Sequence, residues 1–451
     1  MRGAQPGRSR GPIDVQAKPS FQHEGSLAAT SPSWALPLGW FVSLYGAVEL
    51  NLVFDSTQSF FQDVTAPNNL TLAGQGAIRG STEDTYVGGR RSRLGLSLAG
   101  PVTEHVHARF VLETGFFARA EERPRARQLY LGIETPIVDV LVGRSYGVFG
   151  WGGKGFAPTT SAYNGVFGQI FDLPAQVRLS HIFKSSLFDF EVAAAAVAAP
   201  AGVIGPQGEA GLRLAFNRWR GAAAQGVGPA EVAPLQVALS ALGRRIEGAY
   251  AGDDRANRLP SFRAGGLALD LLVPIIPARG FSLRNALTVT LEVSRGSGIS
   301  DLYPGLDGGY FVPLVPVDPS GPSDSPTNDD PFWSPPYPRG TAGLTADGNQ
   351  HTIDWRALVI GAHYHLPIGA GNWIWIAAVH SRLESTNILA LTPGQGRGGV
   401  WTRGHYYEAT LFGKIWRGVH ASVARQYTQQ WSGLEREASN TRTMVSLYSL
   451  F

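Results

Sequence analysis

Residues 44–55 read LYGAVELNLVFD, and small or apolar residues occupy every second position from Leu44 to Phe54. Glu49, Asn51 and Asp55 stand between them. Because successive side chains of a β-strand point to opposite faces, this stretch predicts a strand with one apolar face and one polar face.

The same alternation recurs from residue 41 to the end of the chain. Leu287, Val289, Leu291 and Val293, for example, alternate with polar or charged residues. We predict about sixteen strands, a number within the even-numbered range of bacterial membrane barrels. Their expected positions are 42–55, 90–99, 105–117, 125–134, 137–145, 176–183, 187–196, 209–217, 234–244, 263–273, 283–294, 353–366, 373–384, 402–413, 418–428 and 441–451.

The connections between these segments differ in length in a regular way. Those after even-numbered strands are mostly short, such as 100–104 and 414–417, and only 218–233 does not fit. Short turns at one end and long loops at the other are typical of an outer-membrane barrel, with the turns in the periplasm and the loops outside. The long connections follow odd-numbered strands, at 56–89, 146–175, 245–262, 295–352 and 385–401.

The composition agrees with this all-β, transmembrane, antiparallel barrel. The 451 residues include no cysteine, 56 glycines and 30 prolines, and the net charge of +3 gives no reason to expect nucleic-acid binding. No uncharged apolar run reaches the ~18 residues that a membrane-spanning helix needs. A large soluble sandwich or propeller is the alternative, but it gives no reason for sorted loop lengths, and no 40–50-residue repeat supports a propeller.

Residues 1–40 differ from the rest of the chain. Arg2, Arg8 and Arg10 are present, but the apolar core and cleavage site of an export signal do not follow them. We interpret 1–40 as a disordered leader or a mis-assigned N-terminus, and 41–451 as a single barrel.

The region 43–150 carries five short motifs in order: Ser-Leu-Tyr-Gly at 43–46, Ser-Arg-Leu-Gly-Leu at 92–96, Val-Leu-Glu-Thr-Gly-Phe at 111–116, Arg-Gln-Leu-Tyr-Leu-Gly-Ile at 127–133 and Val-Gly-Arg-Ser-Tyr-Gly at 142–147. Together they resemble the general bacterial porins, a trimeric family of sixteen-stranded outer-membrane barrels. The C-terminal Phe451 is similar to that family's assembly signal, although Ser449 stands where an aromatic residue is usual.

The resemblance implies passive diffusion of small hydrophilic solutes through a water-filled channel in the outer membrane. It also implies a homotrimer, contact with outer-membrane lipids and recognition by the barrel assembly machinery. We expect no cofactor, no nucleic-acid partner and no enzymatic activity.

The resemblance further implies a basic ladder at the channel constriction, formed by Arg93, Arg127 and Arg144, with Glu113 beside it. Arg109 lies on the strand between. The loop near 146–175 is expected to fold into the barrel. In the family this loop faces the ladder with carboxylates, whereas here it offers Lys154 and only Asp172 as an acid. Because a narrow opening focuses the field of such charges, we expect a preference for anions. In the alternative, the arginines pair with Glu113, Glu134 or Asp139 as a non-selective lining.

Other readings stay open. The aromatic residues of 146–175 could form a binding track in a substrate-specific channel, and a barrel adhesin, scaffold or enzyme is a further alternative. An enzyme needs a catalytic Ser/His pair that the sequence does not place. His363 and His365 share one strand face without an evident third ligand, so no metal site is predicted. Four tryptophans near strand ends predict an aromatic belt at the membrane interface: Trp373, Trp375, Trp401 and Trp416.

Overall fold

A computed structural model describes residues 32–56, 83–89, 92–118, 123–161, 166, 168–198, 203–223, 232–246, 261–280, 282–304, 341–344, 350–368, 373–391, 401–416, 418–433 and 437–451. All sixteen predicted strands are present. They are β1 (Phe41–Asp55), β2 (Arg93–Pro101), β3 (His107–Ala118), β4 (Arg123–Glu134), β5 (Asp139–Arg144), β6 (Ala175–Lys184), β7 (Phe188–Val197), β8 (Val203–Ala222), β9 (Val232–Ile246), β10 (Phe262–Ile276), β11 (Leu287–Ser297), β12 (Asp354–His365), β13 (Ile374–Ser385), β14 (Trp401–Trp416), β15 (Val419–Ser432) and β16 (Glu437–Leu450).

The sixteen strands form a closed antiparallel barrel. Each strand pairs with the next along the chain, and β16 pairs with β1 from Ala47↔Leu450 to Asp55↔Arg442. The short strands Ser33–Ala35 and Asp84–Gly88 also pair with β1. A separate small hairpin joins 342–344 to 350–352. The described helical pieces are three-residue turns, and none is long and apolar enough to cross a membrane.

The two faces of the barrel wall differ in polarity as the alternation predicts. On β1, Leu50 is 54% exposed and Asn51 is 1% exposed. On β6, Val177 and Leu179 are exposed, whereas Arg178 between them is buried. The aliphatic side chains therefore cover the outside and the polar side chains face the interior, which is the reverse of a soluble barrel with a dry core.

A charged cluster joins the last strand to the first. Arg442 on β16 donates two hydrogen bonds to the carboxylate of Asp55 on β1, both at 2.7 Å, and Asn440 Nδ2 donates a third at 3.0 Å. At the other end of this seam, the backbone N–H of Gly46 donates to the Phe451 carbonyl at 2.8 Å. Because buried ion pairs stabilise only when their remaining polar atoms are satisfied, the added bond from Asn440 strengthens the seam.

Two expectations from the sequence need adjustment. The predicted leader boundary at residue 40 is too late, because Trp34 pairs with Val42 in a hairpin onto β1; residues 1–31 lie outside the described residues. Strand β8 is longer than the predicted 209–217, because register shifts between Ile204 and Gly208 and between Phe216 and Arg220 interrupt the alternation. Strand β8 extends to Ala222 and β9 begins at Val232. Strand residues therefore occupy both ends of the connection 218–233, the one that did not fit the pattern of loop lengths.

Candidate channel interior

The connection from β5 to β6, residues 145–174, folds against the inner wall. We call this segment the inward loop; its residues 162–165 and 167 lie outside the described part of the chain. Its first turn is held by Glu209 on β8, whose Oε2 accepts the backbone N–H groups of Val148 at 2.7 Å and Phe149 at 3.0 Å. Ser240 Oγ on β9 accepts the N–H of Gly150 at 2.9 Å.

Lys154 forms the next attachment of the inward loop. Its Nζ lies 2.9 Å from Glu191 Oε1 on β7, and Arg213 on β8 contacts the other oxygen of the same carboxylate at 2.6 Å. Burial lowers the pKa of Lys154 to about 8; Glu191 opposes this shift, and the positive charges of Arg213 and Arg178 add to it. Lys154, predicted to face the channel opening, is instead buried between the loop and the wall.

Two further wall glutamates hold the second half of the inward loop. Glu408 Oε1 on β14 accepts the N–H of Ser161 at 2.6 Å, and Gln426 on β15 donates to the Ser161 hydroxyl at 2.7 Å. Glu292 Oε1 on β11 accepts the N–H of Ile170 at 2.6 Å. The loop therefore follows the inner wall from β7 to β15.

The four wall glutamates of these attachments were not singled out from the sequence. Each occupies an inner position of its strand and is at most 5% exposed. The signal that could have found them is the polar register of the strands, since a carboxylate on the inner face opposite a loop with a single acid can accept that loop's N–H groups. They are Glu191, Glu209, Glu292 and Glu408.

Small residues on the inner wall let the inward loop approach closely. A Cβ on Gly211 would lie 2.7 Å from the Trp151 ring, and a Cβ on Gly361 would lie 2.5 Å from Pro158 Cβ. Trp151 and Phe156 are buried against alanines of β7. These two rings are thus used in packing rather than presented as a binding track; Tyr163 and Phe167 lie outside the described residues.

A basic cluster lies on the other half of the inner wall. Glu113 on β3 is buried; Arg93 Nη1 on β2 lies 3.7 Å from its Oε1, and Arg127 Nε on β4 lies 3.1 Å from the same atom. Arg109 occupies an inner position of β3, two residues before the buried Val111. The structure thus brings together Arg93, Glu113 and Arg127, with Arg109 on the same strand face as Glu113.

Arg144 and Asp172 are placed differently from this cluster. Arg144 pairs in register with the exposed Leu129 and is itself exposed, so it lies on the outer side of β5 rather than in the predicted ladder. Gly143 before it has φ +128, a backbone conformation that favours glycine, and the strand continues through it to Arg144. Asp172 is half-buried in the inward loop; burial and the nearby Glu209 and Asp301 raise its pKa to about 6, against the opposing charge of Arg144.

The histidines and tryptophans are only partly where the sequence placed them. His363 and His365 share the inner face, with ring centroids 5.6 Å apart, and the Thr159 hydroxyl lies 3.1 Å from His363 Nδ1. Across the described ranges, no three potential metal-ligating side chains cluster. Trp373 and Trp416 are exposed at the turn end, as expected for a belt, but two others are buried: Trp375 and Trp401.

Comparisons with known proteins support the fold. Neither a family model nor a curated protein matches the sequence. The crystal structure of the outer membrane channel DcaP of Acinetobacter baumannii superposes with a TM-score of 0.63 at 12% identity, covering 93% of this chain and 99% of that one. Salmonella typhi OmpF, in complex with daunomycin, gives a TM-score of 0.50 at 11% identity, with 92% and 99% covered.

The barrel, its inverted polarity and its inward loop define the class of the protein. A closed antiparallel barrel with an aliphatic outer surface can satisfy every backbone hydrogen bond within a bilayer. The fold is that of the bacterial outer-membrane porins, and the outer membrane is where a chain with this surface is located.

Proposed function

We propose that the protein is a channel for passive diffusion of small hydrophilic solutes, and that it has no catalytic role. The observation that carries this proposal is the inward loop. Its hydrogen bonds run to one half of the inner wall, β7 to β15, so that it narrows the barrel from one side and faces the arginines of β2 to β4 across the interior.

We further propose that this narrowed section prefers anions. Arg93, Arg109 and Arg127 lie at inner positions of neighbouring strands, and on the opposite side Lys154 of the inward loop pairs with Glu191 behind it. The glutamates behind the loop accept its hydrogen bonds. Because charges near a narrow aqueous opening in a low-dielectric wall act over the whole opening, this arrangement favours a positive potential on the path of a solute.

Planar-bilayer recording on refolded protein tests both statements. We expect discrete open-channel currents, and in a salt gradient a reversal potential with the sign of anion preference. Arg93→Gln/Arg127→Gln is expected to shift that potential toward cations. Arg425→Gln removes an exposed arginine from the outer side of β15 and is the matched control, expected to leave it unchanged. Cation preference in the unmodified protein contradicts the selectivity, and absence of channel currents contradicts the channel itself.

We also propose the homotrimer. The outer surface of β1 and β6 stays aliphatic toward the loop end, with exposed Leu52, Phe54 and Val177, and such a surface can pack against another copy. Crosslinking or native mass spectrometry of detergent-purified protein tests this; a monomer under conditions that preserve channel activity contradicts it.

A further inference from the structure

Four polar side chains form a compact group on the inner face of the first and last strands. Glu49 of β1 lies opposite Tyr448 of β16, and Asn51 lies opposite Ser446. Directly opposed residues of an antiparallel pair have Cβ atoms ~4.5–5.5 Å apart, and diagonal neighbours are ~7–8 Å apart. The four side chains therefore surround one spot on the inner wall. We call this group the polar square: Glu49, Asn51, Ser446 and Tyr448.

Three members of the polar square carry buried polar atoms that the protein does not satisfy. Asn51 and Tyr448 are 1% exposed, and Ser446 is 2% exposed. Within the part of the chain that the structure describes, neither polar atom of the Asn51 amide has a hydrogen-bond partner, and the hydroxyls of Ser446 and Tyr448 have none either. Proteins leave few buried polar atoms unbonded, so each such atom indicates a water, an ion or a ligand at the site. Their grouping around one spot indicates a binding site.

The chemistry of these atoms favours a ligand with several hydroxyl groups. The Asn51 amide offers donors and an acceptor, the hydroxyls of Ser446 and Tyr448 each donate and accept, and the Glu49 carboxylate accepts. A ligand hydroxyl also donates and accepts, so a polyol can form a hydrogen bond with every member of the square. An anion offers only acceptors and would meet the carboxylate of Glu49, whereas a cation offers only donors. A neutral polyhydroxylated molecule therefore matches the group best.

An aromatic border lies beside the polar square. The ring of His420 on β15 stacks on Tyr448, with centroids 5.4 Å apart and an angle of 12° between the planes. The ring of Trp375 lies 6.0 Å from that of His420. Ligand sites commonly combine aromatic side chains with a few polar groups that fix the orientation of the ligand. Such a border suits the C–H groups of a sugar or polyol while its hydroxyls face the square.

The polar square lies on the part of the inner wall between the inward loop and the basic cluster. The loop is attached to β14 and β15 through Glu408 and Gln426, and the basic cluster begins with Arg93 on β2. In the closed barrel, β16 and β1 lie between these strands. A solute that passes the loop on its open side therefore passes this stretch of wall.

We propose that the polar square binds small neutral polyhydroxylated solutes, such as sugars and polyols, as they pass through the barrel. The hydroxyl groups of the solute replace water at Asn51, Ser446 and Tyr448, and a further hydroxyl donates to Glu49. This inference rests on the proposed channel function and adds a class of solute that the wall retains. It is separate from the preference for anions, which depends on the arginines of β2 to β4.

Saturation-transfer NMR of the refolded whole protein with D-glucose, in a detergent without a sugar headgroup, tests the proposal because it detects weak binding. We expect glucose to receive saturation from the protein, and tetraethylene glycol, which has only two terminal hydroxyls, to receive much less. Asn51→Leu/Ser446→Ala is expected to weaken glucose binding about tenfold, since two hydrogen-bonding groups are lost. Tyr448→Phe keeps the ring on His420 and removes one hydroxyl, so a smaller, severalfold loss is expected.

The matched control removes the same kinds of group from elsewhere on the wall. Thr428 and Gln430 occupy inner positions of β15, are each 1% exposed, and each has a side-chain oxygen without a hydrogen-bond partner in the described ranges. Thr428→Val/Gln430→Leu is expected to bind glucose as the unmodified protein does.

The outcomes are separable on the same samples. If the unmodified protein does not bind glucose, the proposal is overturned and the free atoms of the polar square are assigned to water alone. Equal binding by Tyr448→Phe, Asn51→Leu/Ser446→Ala and the unmodified protein also overturns it, as does equal saturation of tetraethylene glycol. Planar-bilayer currents report the channel independently of glucose, so a failure of this proposal is distinguishable from a failure of the proposed function.

Discussion

On the half of the inner wall formed by β7 to β15, buried glutamates accept hydrogen bonds from the inward loop, as Glu209 does from Val148 and Phe149. On β2 to β4, Arg93 and Arg127 meet Glu113 of their own wall. Both sets are charged residues at inner positions of alternating strands. The difference shows that the strand pattern decides which side chains face inward, whereas the course of one loop decides which of them become structural attachments.

The largest effect is expected from removing the first attachment. Glu209→Leu leaves the N–H groups of Val148 and Phe149 without their acceptor, and leaving buried donors unsatisfied costs about 1–3 kcal/mol each. We expect a corresponding fall in the free energy of unfolding in urea, and noisier open-channel currents as the loop moves. Glu209→Gln keeps an acceptor oxygen and is the control, with a smaller loss. Unchanged stability and quiet currents in Glu209→Leu would mean that this glutamate does not hold the loop.

A second variant tests the packing between the inward loop and the wall by adding side-chain volume, without changing any charge. Gly211→Leu would bring a side chain against Trp151, and overpacking of this kind costs about 1–3 kcal/mol. Trp151→Ala in the same chain is expected to recover part of that loss. A Cβ on Gly243 meets no atom within 4 Å, so Gly243→Leu is the control and is expected to be nearly neutral. If Gly211→Leu costs no more than Gly243→Leu, the described packing is wrong.

The lowered pKa of Lys154 predicts a pH dependence of stability that comes from the half of the interior holding the inward loop. Its pKa in the folded protein is lowered to about 8, below the ordinary lysine value of 10.5, so the unfolded chain binds more protons between these values. The free energy of unfolding is therefore expected to rise with pH across this window, by at most ~1.4 kcal/mol per pH unit. Lys154→Met should lack this contribution. Lys184→Met alters an exposed lysine and should keep the profile of the unmodified protein; identical profiles for both variants would refute the assignment.

Replacing Asp172 is expected to have the smallest effect on stability. The pH dependence that Asp172 contributes has the opposite sign to that of Lys154. Its folded pKa of about 6 lies above the ordinary value of 3.8, so the folded protein binds more protons in between, and the free energy of unfolding falls as pH rises from about 4 to 6. Asp172→Asn is expected to remove this fall, as measured by urea unfolding at several pH values. Glu104→Gln, at an exposed turn, serves as the control. A fall that persists in Asp172→Asn would assign it to another group.

The sequence predicts the barrel closely, because alternation is a local property. It placed sixteen strands correctly, and it failed mainly where a bulge shifts the alternation, as in β8, or where a short strand such as Ser33–Ala35 carries too few residues to show a period. Trp375 was misplaced because a residue near a strand end can face either way, and its side chain stacks on Phe412 inside the barrel, with centroids 5.2 Å apart.

The interior is less predictable, because its contacts join distant parts of the chain. The grouping of Arg93 and Arg127 around Glu113 followed from strand order. The attachment of Lys154 to Glu191 did not, because nothing local to either residue indicates where a long loop will lie. Arg144 lies outside the expected ladder because it shares the outward alternation of the exposed Val142, two residues before it, with no register shift between them.

The seam between β1 and β16 has a consequence for how the chain reaches this state. Asp55 and Arg442 are 387 positions apart, so the ring is sealed by a contact that no early fragment can make. Loop-closure entropy grows only slowly with separation, but strand pairing between such distant segments is slow to form. Until it forms, the free edges of the first and last strands remain open for pairing with other chains. Assembly of this protein is therefore expected to depend on the concentration of copies whose barrels are still open, and on any helper protein that shields those edges.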